Sequence, residues 1–505
     1  MHRASGSVPP RRLSRLLAGV GLLAALGIAV PGCGSGAPGG GNTSPARPAL
    51  TLSACTVSGS LHARCGTLRV AEDPARPQGR QIGLRVVVLP AQGTVHLPDP
   101  LLYFAGYGGA ASEDAAWVMS HFWRLNQTRD IVLVDQRGTG GSNRMECTGL
   151  GGLDQSSSDA AMAAAADACL ASVRDRGDPR LYTTPIAVDD VDTVRAALGY
   201  DRVNVYGGSY GVSSGLAYIQ RHGAHVRAAL FDSGSLLDTR LWELGGRSAQ
   251  QALAAVLARC AEDTRCNAAF PHLAAEWDAL MARLAASPPS VQVTDPSTGQ
   301  PATVVVERAA FLGLVSDTYL GSVQSAAGLP RLVHRAFLGE WAALVQEVAA
   351  TQAGRSDPRS TLVSSHTIAC SDEWAAIDPA GARAAGGTSP FTDMVLQQAR
   401  FHAAVCARWP AAAGVRGTVT TNAPVVFLNG TADPADPPAN VAAAAATMPG
   451  SLVVPVVGYG HGQLGQDESE LITSEANTFL QSGRPSTLDD WPAAAHPWMP
   501  PFVVA

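Results

Sequence analysis

The chain of 505 residues lacks features that would indicate several other kinds of protein. Charged residues make up only 15% of it, and the net charge of −6 is spread without a basic stripe or an acidic tail, so nucleic acid is not an expected partner. No Cys-x-x-Cys pair and no Cys/His cluster of metal-ligand spacing occurs. We therefore expect neither a metal nor a cofactor.

No apolar run is long enough for a membrane helix either. The longest one, Leu16–Val30, falls short of the roughly 20 residues that cross a bilayer. Arginines precede it and small residues follow it, which is typical of an export signal over residues 1–33. Val30-Pro31-Gly32-Cys33 is similar to the cleavage site of bacterial lipoproteins and predicts a lipid on Cys33, with a plain secretory signal as the alternative. Residues 34–50, rich in Gly, Ser and Pro, are predicted to be a flexible tether.

Eight further cysteines are present, an even number, as expected of a disulfide-bonded protein in an oxidising compartment. They fall along the chain as four local couples, which predicts the pairs Cys55–Cys65, Cys147–Cys169, Cys260–Cys266 and Cys370–Cys406. The protein is therefore expected to be exported, either as a cell-envelope lipoprotein or in secreted form. Any contact with a membrane is expected only through the N-terminal lipid.

Short, β-rich apolar runs alternate with helical patterns over much of the chain. The predicted strands are Leu101–Phe104, Ile131–Val134, Val203–Tyr206, Ala228–Phe231, Val425–Leu428 and Leu452–Val457. Continuous apolar strands separated by helices are typical of a mostly parallel sheet that is covered on both faces. The sequence therefore predicts an α/β core formed by residues 51–235 and 391–505.

Between residues 236 and 390 the alternation stops, and the chain becomes rich in Ala, Leu and Arg. Long helical periodicity predicts helices at Ser248–Ala261, His272–Ala285 and Leu329–Ala350. The simplest arrangement is a mainly helical insertion that projects from the C-terminal ends of the strands. Such an insertion is expected to be a cap over the site.

The motif Gly207-Gly208-Ser209-Tyr210-Gly211 derives its significance from its placement. It follows the predicted strand Val203–Tyr206 and precedes the apolar helical run Val212–Gln220, which is the context of a nucleophile elbow. The turn is sharp and the serine backbone strained, so larger side chains at the flanking glycines would collide with neighbouring elements. Ser209 is therefore the predicted nucleophile.

A serine nucleophile needs a base and an orienting acid, which in this setting follow in the order acid, then histidine. His461 stands among small residues directly after the last predicted strand and is the predicted base. Asp433 follows the strand Val425–Leu428, and a helix predicted at Asn440–Met448 fits between the two.

Asp433 is the predicted acid, but two other carboxylates compete with it. Asp436 lies three residues further on, and Asp232 ends the strand that precedes the cap. The two donors expected to stabilise an oxyanion are the backbone N–H groups of Tyr210, the residue after the nucleophile, and of Gly106. Gly106 belongs to a glycine-rich turn, residues 105–109, that lacks the Gly-x-Gly-x-x-Gly spacing of a dinucleotide loop.

A further loop, Asp135–Ser142, follows the strand Ile131–Val134. A buried ion pair that fixes this loop is the expected use of Asp135 and Arg137, with contact to substrate as the alternative. Neither residue is predicted to be catalytic.

Several of these segments together resemble the secreted tripeptidyl aminopeptidases of bacteria, which are relatives of the proline iminopeptidases. The segments are Cys65–Val70, Ala105–Gly109, Asp135–Ser142, Asp190–Gly211, Ala369–Asp372, Gly430–Pro437 and Gly460–Gly462. The resemblance runs from about residue 51 to beyond residue 462. It implies an α/β-hydrolase fold with a helical cap, and a triad of Ser209, Asp433 and His461. The chain departs from the family at Ala105-Gly106-Tyr107-Gly108, where such enzymes usually have Gly-Gly-Pro-Gly.

The sequence and the resemblance together predict a serine hydrolase that cleaves peptides from free N-termini through an acyl-enzyme. An esterase or lipase is the first alternative, and a non-catalytic surface-binding protein is the second. A substrate ammonium that loses water needs carboxylate partners, and Asp372 and Glu373 in the cap are predicted to provide them. The alternative for these two residues is helix capping. Peptide substrates are the expected partners.

Overall fold

Continuous apolar runs form the centre of a nine-stranded sheet in a computed structural model. The structure describes residues 50–504 apart from 151–152, 154–156, 295–298, 353–359, 374–376, 411 and 467–469. The predicted export signal, Cys33 and nearly all of the predicted tether therefore lie outside the described residues. Within the described ranges, no helix is both long and apolar enough to cross a bilayer.

The strands are β1 (Ser53–Val57), β2 (Leu61–Ala71), β3 (Gln81–Leu89), β4 (Leu101–Phe104), β5 (Ile131–Val134), β6 (Glu146–Thr148), β7 (Val203–Gly208), β8 (Val226–Asp232), β9 (Ser290–Thr294), β10 (Pro301–Val305), β11 (Ser360–Leu362), β12 (Val425–Gly430) and β13 (Ser451–Val456). The large sheet has the order β1-β2-β3-β5-β4-β7-β8-β12-β13. From β5 to β13 all neighbours are parallel, whereas β1, β2 and β3 add an antiparallel edge. The six predicted strands form the parallel part, so the predicted fold class is confirmed.

The helices are α1 (Ala115–Asn126), α2 (Asp159–Val173), α3 (Thr184–Leu198), α4 (Tyr210–His222), α5 (Leu241–Glu262), α6 (Thr264–Ala269), α7 (Leu273–Ala286), α8 (Arg308–Leu314), α9 (Val323–Ala326), α10 (Leu329–Leu338), α11 (Trp341–Gln352), α12 (Val363–Ile368), α13 (Pro379–Gly386), α14 (Pro390–Cys406), α15 (Glu470–Ser482) and α16 (Pro492–Ala495). Two apolar clusters cover the sheet. Alternate residues of the same strand enter opposite clusters, as Leu102 and Tyr103 of β4 do. The central parallel strands β4, β5, β7, β8 and β12 are thereby buried on both faces, whereas β13 at the edge is only partly buried.

A third apolar cluster lies among the helices between β8 and β12. It includes Leu253 of α5, Trp277 of α7 and Leu332 of α10. The boundary predicted at residue 390 falls at the start of α14, whose residue Phe391 is buried in the same cluster. The N-terminal part of α14 therefore packs against the helices of the insertion.

The structure joins the eight cysteines in the four pairs expected from their spacing. Cys55–Cys65 lies in the hairpin of β1 and β2, and Cys260–Cys266 links the end of α5 to α6. Cys147–Cys169 joins β6 to α2. Cys370–Cys406 joins the π-helical turn Ala369–Glu373 to the end of α14.

Candidate active site

Ser209 stands in a strained turn between β7 and α4. Its backbone has φ 55° and ψ −125°, a conformation that a residue with a side chain adopts only when its surroundings enforce it. A Cβ on Gly207 would lie 2.1 Å from the carbonyl oxygen of Gly211, and one on Gly211 would lie 2.3 Å from that of Phe104. Close packing therefore requires glycine at both positions.

The end of β8 connects this turn to the loop that carries His461. The backbone N–H of Ser209 donates to the carbonyl oxygen of Asp232 at 2.9 Å. The carboxylate of Asp232 accepts hydrogen bonds from the backbone N–H groups of Gln463 (2.7 Å) and Leu464 (3.0 Å). Burial raises the pKa of Asp232, and these two donors oppose that rise. Asp232, an alternative acid in the sequence, thus holds the histidine loop beside the serine turn.

The His461 loop is also tied to the cap. The backbone N–H of His461 donates to the carbonyl oxygen of Gly321 at 2.9 Å. Gln466 donates from Nε2 to the carbonyl oxygen of His461 at 2.9 Å and accepts at Oε1 from the N–H of Val323. The imidazole itself remains 29% exposed. The backbone is therefore fixed while the ring faces open space.

Asp433 provides the close partner of the imidazole. Its Oδ2 lies 3.0 Å from Nδ1 of His461, and because a carboxylate only accepts, the imidazole donates here. Oδ1 accepts from the N–H groups of Ala435 and Asp436, both at 2.9 Å. Burial favours the neutral acid, but the histidine charge and these hydrogen bonds outweigh it and lower the pKa of Asp433.

Asp436 is the second buried carboxylate at this position. Its Oδ2 lies 3.8 Å from Nδ1 of His461, and its Oδ1 accepts from the hydroxyl of Ser235 at 2.6 Å. Burial and the charge of Asp433 raise the pKa of Asp436 to about 7. Burial alone would lower the pKa of His461, but the two carboxylates outweigh it and raise that pKa. Asp433 is therefore the direct partner of His461, and Asp436 acts on it at longer range.

Asp433, Asp436 and His461 also have the composition of a metal site. One ligand atom from each lies within 4.8 Å of the other two. A cation bound there would have to replace the contact between Nδ1 of His461 and Asp433, and it would compete with the N–H donors that Asp433 already has. The existing hydrogen bonds engage Nδ1 of His461 and both oxygens of Asp433, so the contact with Asp433 fixes the orientation of the imidazole.

The two predicted oxyanion donors flank Ser209. Tyr210 is the first residue of α4. A Cβ on Gly106 would lie 4.0 Å from Cβ of Ser209, so the turn at 105–109 lies close to the serine. The structure contains no hydrogen bond between the Ser209 hydroxyl and the His461 imidazole, both of which it describes. Such catalytic contacts are often long in structures without substrate.

Arg137 forms a buried ion pair, but its partner differs from the one that the sequence suggests. Its guanidinium binds both carboxylate oxygens of Asp190 on α3, at 2.7 and 2.9 Å. Asp135 instead accepts hydrogen bonds from Ser112 and from the N–H of Gly141. Both side chains are fully buried, and they fix the loop to α3 and to Ser112.

A cleft of about 730 Å³ adjoins His461. Its walls come mainly from the cap, including the π-helical turn Val315–Tyr319, and contain the carboxylates of Asp317 and Glu347. Glu347 is paired with Arg335 at 3.0 Å, whereas Asp317 makes no ion pair with any residue that the structure describes. The side chain of Asp317 is exposed to the cleft, and loss of hydration between the cleft walls raises its pKa.

Asp372 has a different environment from the one predicted for an amine-binding group. Its Oδ2 accepts from the hydroxyl of Thr184 at 2.6 Å, and its Oδ1 accepts from the N–H of Val415 at 2.7 Å. Burial raises its pKa to about 6. Both oxygens are thus used inside the protein, and Asp372 does not line the cleft beside His461. The side chain of Glu373 lies outside the described residues.

Sequence reasoning missed the residues that support the histidine loop and the acidic cleft. Ser233 accepts from the N–H of Gly462 and from the side chain of Gln463. Polar residues directly after β8 and β13, the edge where the site lies, are the signal that could have identified them. Asp317 has no comparable local signal, because only the packing of the cap brings it to the cleft.

Comparisons with known proteins identify the family of the chain. A family model described as alpha/beta hydrolase fold matches residues 99–467. Two proteins named tripeptidyl aminopeptidase, from Streptomyces coelicolor and Streptomyces lividans, are each 29% identical over 194 residues. The match covers 34% of this chain and 35% of each relative, so the chain spans about a third of the length of the curated relatives it matches. The resemblance predicted from the motifs is thereby confirmed.

Solved structures with a similar fold include a proline iminopeptidase of Mycobacterium smegmatis and the esterase RhEst1 of Rhodococcus sp. ECU1013. The first is 16% identical with a TM-score of 0.38, and covers 83% of this chain and 98% of the other. The second is 18% identical with a TM-score of 0.33, and covers 79% and 96%. The family model spans most of the sequence, including the strained serine turn and the Asp433–His461 contact, and the chain therefore belongs to the α/β-hydrolase family and is a hydrolase of that type.

Proposed function

We propose that the protein is an exported serine aminopeptidase with Ser209, Asp433 and His461 as its triad. The observation that carries the triad is the 3.0 Å contact between His461 and Asp433, beside a serine held at φ 55°. The three residues follow β7, β12 and β13, and β8 lies between β7 and β12. Parallel strands present their carboxyl ends at one edge, where such sites form.

In this proposal the Ser209 hydroxyl attacks the carbonyl carbon of the substrate while Nε2 of His461 takes its proton. Asp433 accepts from Nδ1–H, which fixes the tautomer and stabilises the imidazolium. The N–H groups of Tyr210 and Gly106 stabilise the oxyanion. Collapse of the intermediate breaks the C–N bond as His461 returns the proton to the leaving amine. Water, activated by the same histidine, then hydrolyses the acyl-enzyme.

The preference for a free N-terminus is supported by the charge of the cleft. Asp317 faces the cavity that His461 also lines and has no cationic partner among the described residues, so a substrate ammonium would supply the missing charge. Asp372 was the predicted amine partner, but its carboxylate already has two donors. We therefore propose Asp317 for this role. The tripeptidyl aminopeptidase name of the relatives favours the same substrate class.

The test pairs each peptide reporter with its N-acetylated twin. Wild-type enzyme should lose most of its kcat/KM on acetylation. Asp317→Asn should weaken cleavage of the free-amine substrate by about 10-fold or more, as expected for a lost charge-assisted contact, and leave the acetylated substrate unchanged. Glu347→Gln is the matched control, since its carboxylate already binds Arg335, and it should have the smaller effect. Equal cleavage of free and blocked peptides would reject the aminopeptidase.

An esterase is the second candidate, and one cavity favours it. A space of about 360 Å³ beside Asp317 is lined mostly by apolar side chains, among them Val306, Phe311 and Trp341. An acyl chain would fit such walls. Simple esters of increasing chain length, added to the same reporter panel, separate the two functions. Faster cleavage of long-chain esters than of any free peptide would favour the esterase.

Export is supported by the four disulfides, because such bonds persist in oxidising compartments. The lipid on Cys33 is proposed from the sequence. Mass spectrometry of the N-terminal peptide from native membranes should find an acylated Cys33, and Cys33→Ser should release the protein from the membrane fraction. A mature protein that begins elsewhere without a lipid would indicate ordinary secretion.

A further inference from the structure

Both predicted oxyanion donors are connected to one part of the cap, residues 360–372. This cap segment contains β11, α12 and most of the π-helical turn Ala369–Glu373. β11 pairs antiparallel with β6, so the segment is attached to the core. Its contacts with the donors are made through the side chains of two tyrosines.

The first contact fixes the turn that contains Gly106. The hydroxyl of Tyr107, the next residue, donates to the carbonyl oxygen of Ser365 at 2.5 Å. A Cβ on Gly108 would lie 3.2 Å from the hydroxyl of Ser365, so the turn lies directly against α12. A shift of α12 would therefore move the turn that presents the Gly106 N–H.

The second contact fixes Tyr210, whose own backbone N–H is the other donor. Its hydroxyl lies 2.7 Å from the hydroxyl of Thr184, which lies 2.6 Å from Oδ2 of Asp372. An ionised carboxylate only accepts, so Thr184 donates to Asp372 and accepts from Tyr210. Asp372 thereby fixes the direction of the whole chain of hydrogen bonds. Thr184 is fully buried, and water does not compete for its hydroxyl.

Two disulfides hold the cap segment at its ends. Cys370–Cys406 fixes the turn that carries Asp372 to α14, and Cys147–Cys169 fixes β6, the partner of β11. Donors of an oxyanion hole must be preorganised to be effective, because a misplaced donor stabilises the transition state less. The cap segment, anchored by these disulfides, supports both donors through hydrogen bonds.

We propose that residues 360–372 position the oxyanion hole, with Thr184, Asp372 and the Cys370–Cys406 disulfide as positioning groups. The inference rests on the proposed role of Ser209 as nucleophile, but it holds for a peptide and an ester substrate alike. Loss of a positioning group should lower kcat, because the donors act on the transition state. KM should change little, because the substrate cleft is formed by other residues.

The central experiment compares Thr184→Val with Thr184→Ser, using both an ester and a peptide reporter. Valine keeps the shape and removes the hydroxyl, so kcat should fall by about 10-fold, less than the loss of a whole oxyanion donor, with KM within about threefold. Serine keeps the hydroxyl and should restore most of kcat. Equal kcat for the valine variant and the wild type would overturn the inference.

Two further variants guard against a folding defect. Tyr107→Phe keeps the ring and removes the hydroxyl that binds Ser365, in a residue that is 45% exposed, and it should lower kcat several-fold with an unchanged melting temperature. Replacing Cys370 and Cys406 by serine should lower kcat, whereas the same change at Cys260 and Cys266, elsewhere in the cap, should not. Equal kcat in both disulfide variants would contradict the positioning role of Cys370–Cys406.

Labelling of Ser209 with a fluorophosphonate separates the two levels of the proposal. If the wild-type protein is labelled at Ser209 and all positioning variants have the kcat of the wild type, the inference is rejected and the proposed function stands. If the wild-type protein is not labelled at Ser209, the assignment of Ser209 as nucleophile is rejected, and this inference is rejected with it.

Discussion

The carboxyl edge of the parallel strands and the face of the cap contribute to the site in different ways. At the edge, the serine turn and the histidine loop are held by backbone hydrogen bonds to buried groups, such as the carboxylate of Asp232. At the cap face, Asp317 and Glu347 project into a cleft from a π-helical turn and from α11. The edge is therefore suited to fixed chemistry, and the cap to selecting the substrate.

This difference predicts which changes act on every substrate and which act on some. A change at the strand edge should lower the rates of esters, free peptides and blocked peptides by the same factor. A change in the cleft should alter their ratio. The cap segment 360–372 is the exception that we propose, because it belongs to the cap and acts on the edge.

The largest expected effect is that of Ser209→Ala. Hydrolysis of all reporters should fall by at least about 10⁴-fold, because the attacking oxygen is lost. Ser213→Ala, one turn along α4 in a half-buried position, is the matched control and should remain active. Circular dichroism should show an unchanged fold. Activity of the Ser209 variant near that of the wild type would remove the nucleophile from this turn.

Asp433→Asn should have the next largest effect. The amide cannot accept the imidazole proton as a carboxylate does, and it favours the wrong tautomer, which costs about 10⁴-fold in kcat in a well-studied triad. Asp436→Asn is the control, since its Oδ2 lies 3.8 Å from the imidazole, and it should keep most of kcat. A larger loss for the Asp436 variant would assign the acid role to Asp436.

The fold was predictable where burial alone determines the pattern. Five of the six parallel strands, all but the edge strand β13, are mostly apolar runs because both of their faces are covered. β2 and β3 were not among the predicted strands, although much of their length alternates between buried and more exposed residues as a half-buried strand does. The run Leu329–Ala350 was predicted as one helix, but Gly339, with φ 86°, ends α10 and a second helix follows.

The helix predicted at Asn440–Met448 is wrong for a tertiary reason. The segment forms 3₁₀ turns at Pro438–Val441 and Ala444–Ala446. The side chain of Asn440 donates to the hydroxyl of Ser235 and to the carbonyl oxygen of Ala435. Contacts of this kind outweigh the helix propensity of an alanine-rich run.

The same reasoning explains which residues of the site could be predicted from the sequence. The serine turn, Asp433 and His461 each follow a strand, so local patterns indicate them. The acidic cleft depends on how cap helices pack, and no local pattern reports that packing. Asp372 was chosen for its charge and its neighbouring disulfide, whereas its position in space connects it to Thr184.

Removal of the Cys55–Cys65 disulfide should separate stability from chemistry. The double serine variant should lower the free energy of unfolding by about 2–3 kcal/mol, as expected for a loop of this size, while kcat stays unchanged because the hairpin lies at the far edge of the sheet. Denaturant unfolding and reporter kinetics measure the two quantities. A loss of kcat comparable to that of the Cys370–Cys406 variant would show that removing a disulfide lowers kcat wherever the disulfide lies in the fold.

The smallest expected effect, a shift in pH dependence, tests the electrostatics of the strand edge. The acid limb of kcat/KM reports the ionisation of free His461, which must be neutral to take the serine proton. Asp436, with its pKa near 7, gains negative charge as the pH rises through neutrality and then favours the protonated imidazole.

Asp436→Asn removes that charge and leaves Asp433 and Asp232 in place. The pKa of His461 should therefore fall, and the acid limb should move to lower pH by up to about one unit. Glu347→Gln, a carboxylate change in the cleft, should leave the limb where it is. A shift of the acid limb to higher pH, or an equal shift in both variants, would mean that Asp433 and Asp436 do not act on His461 as a pair.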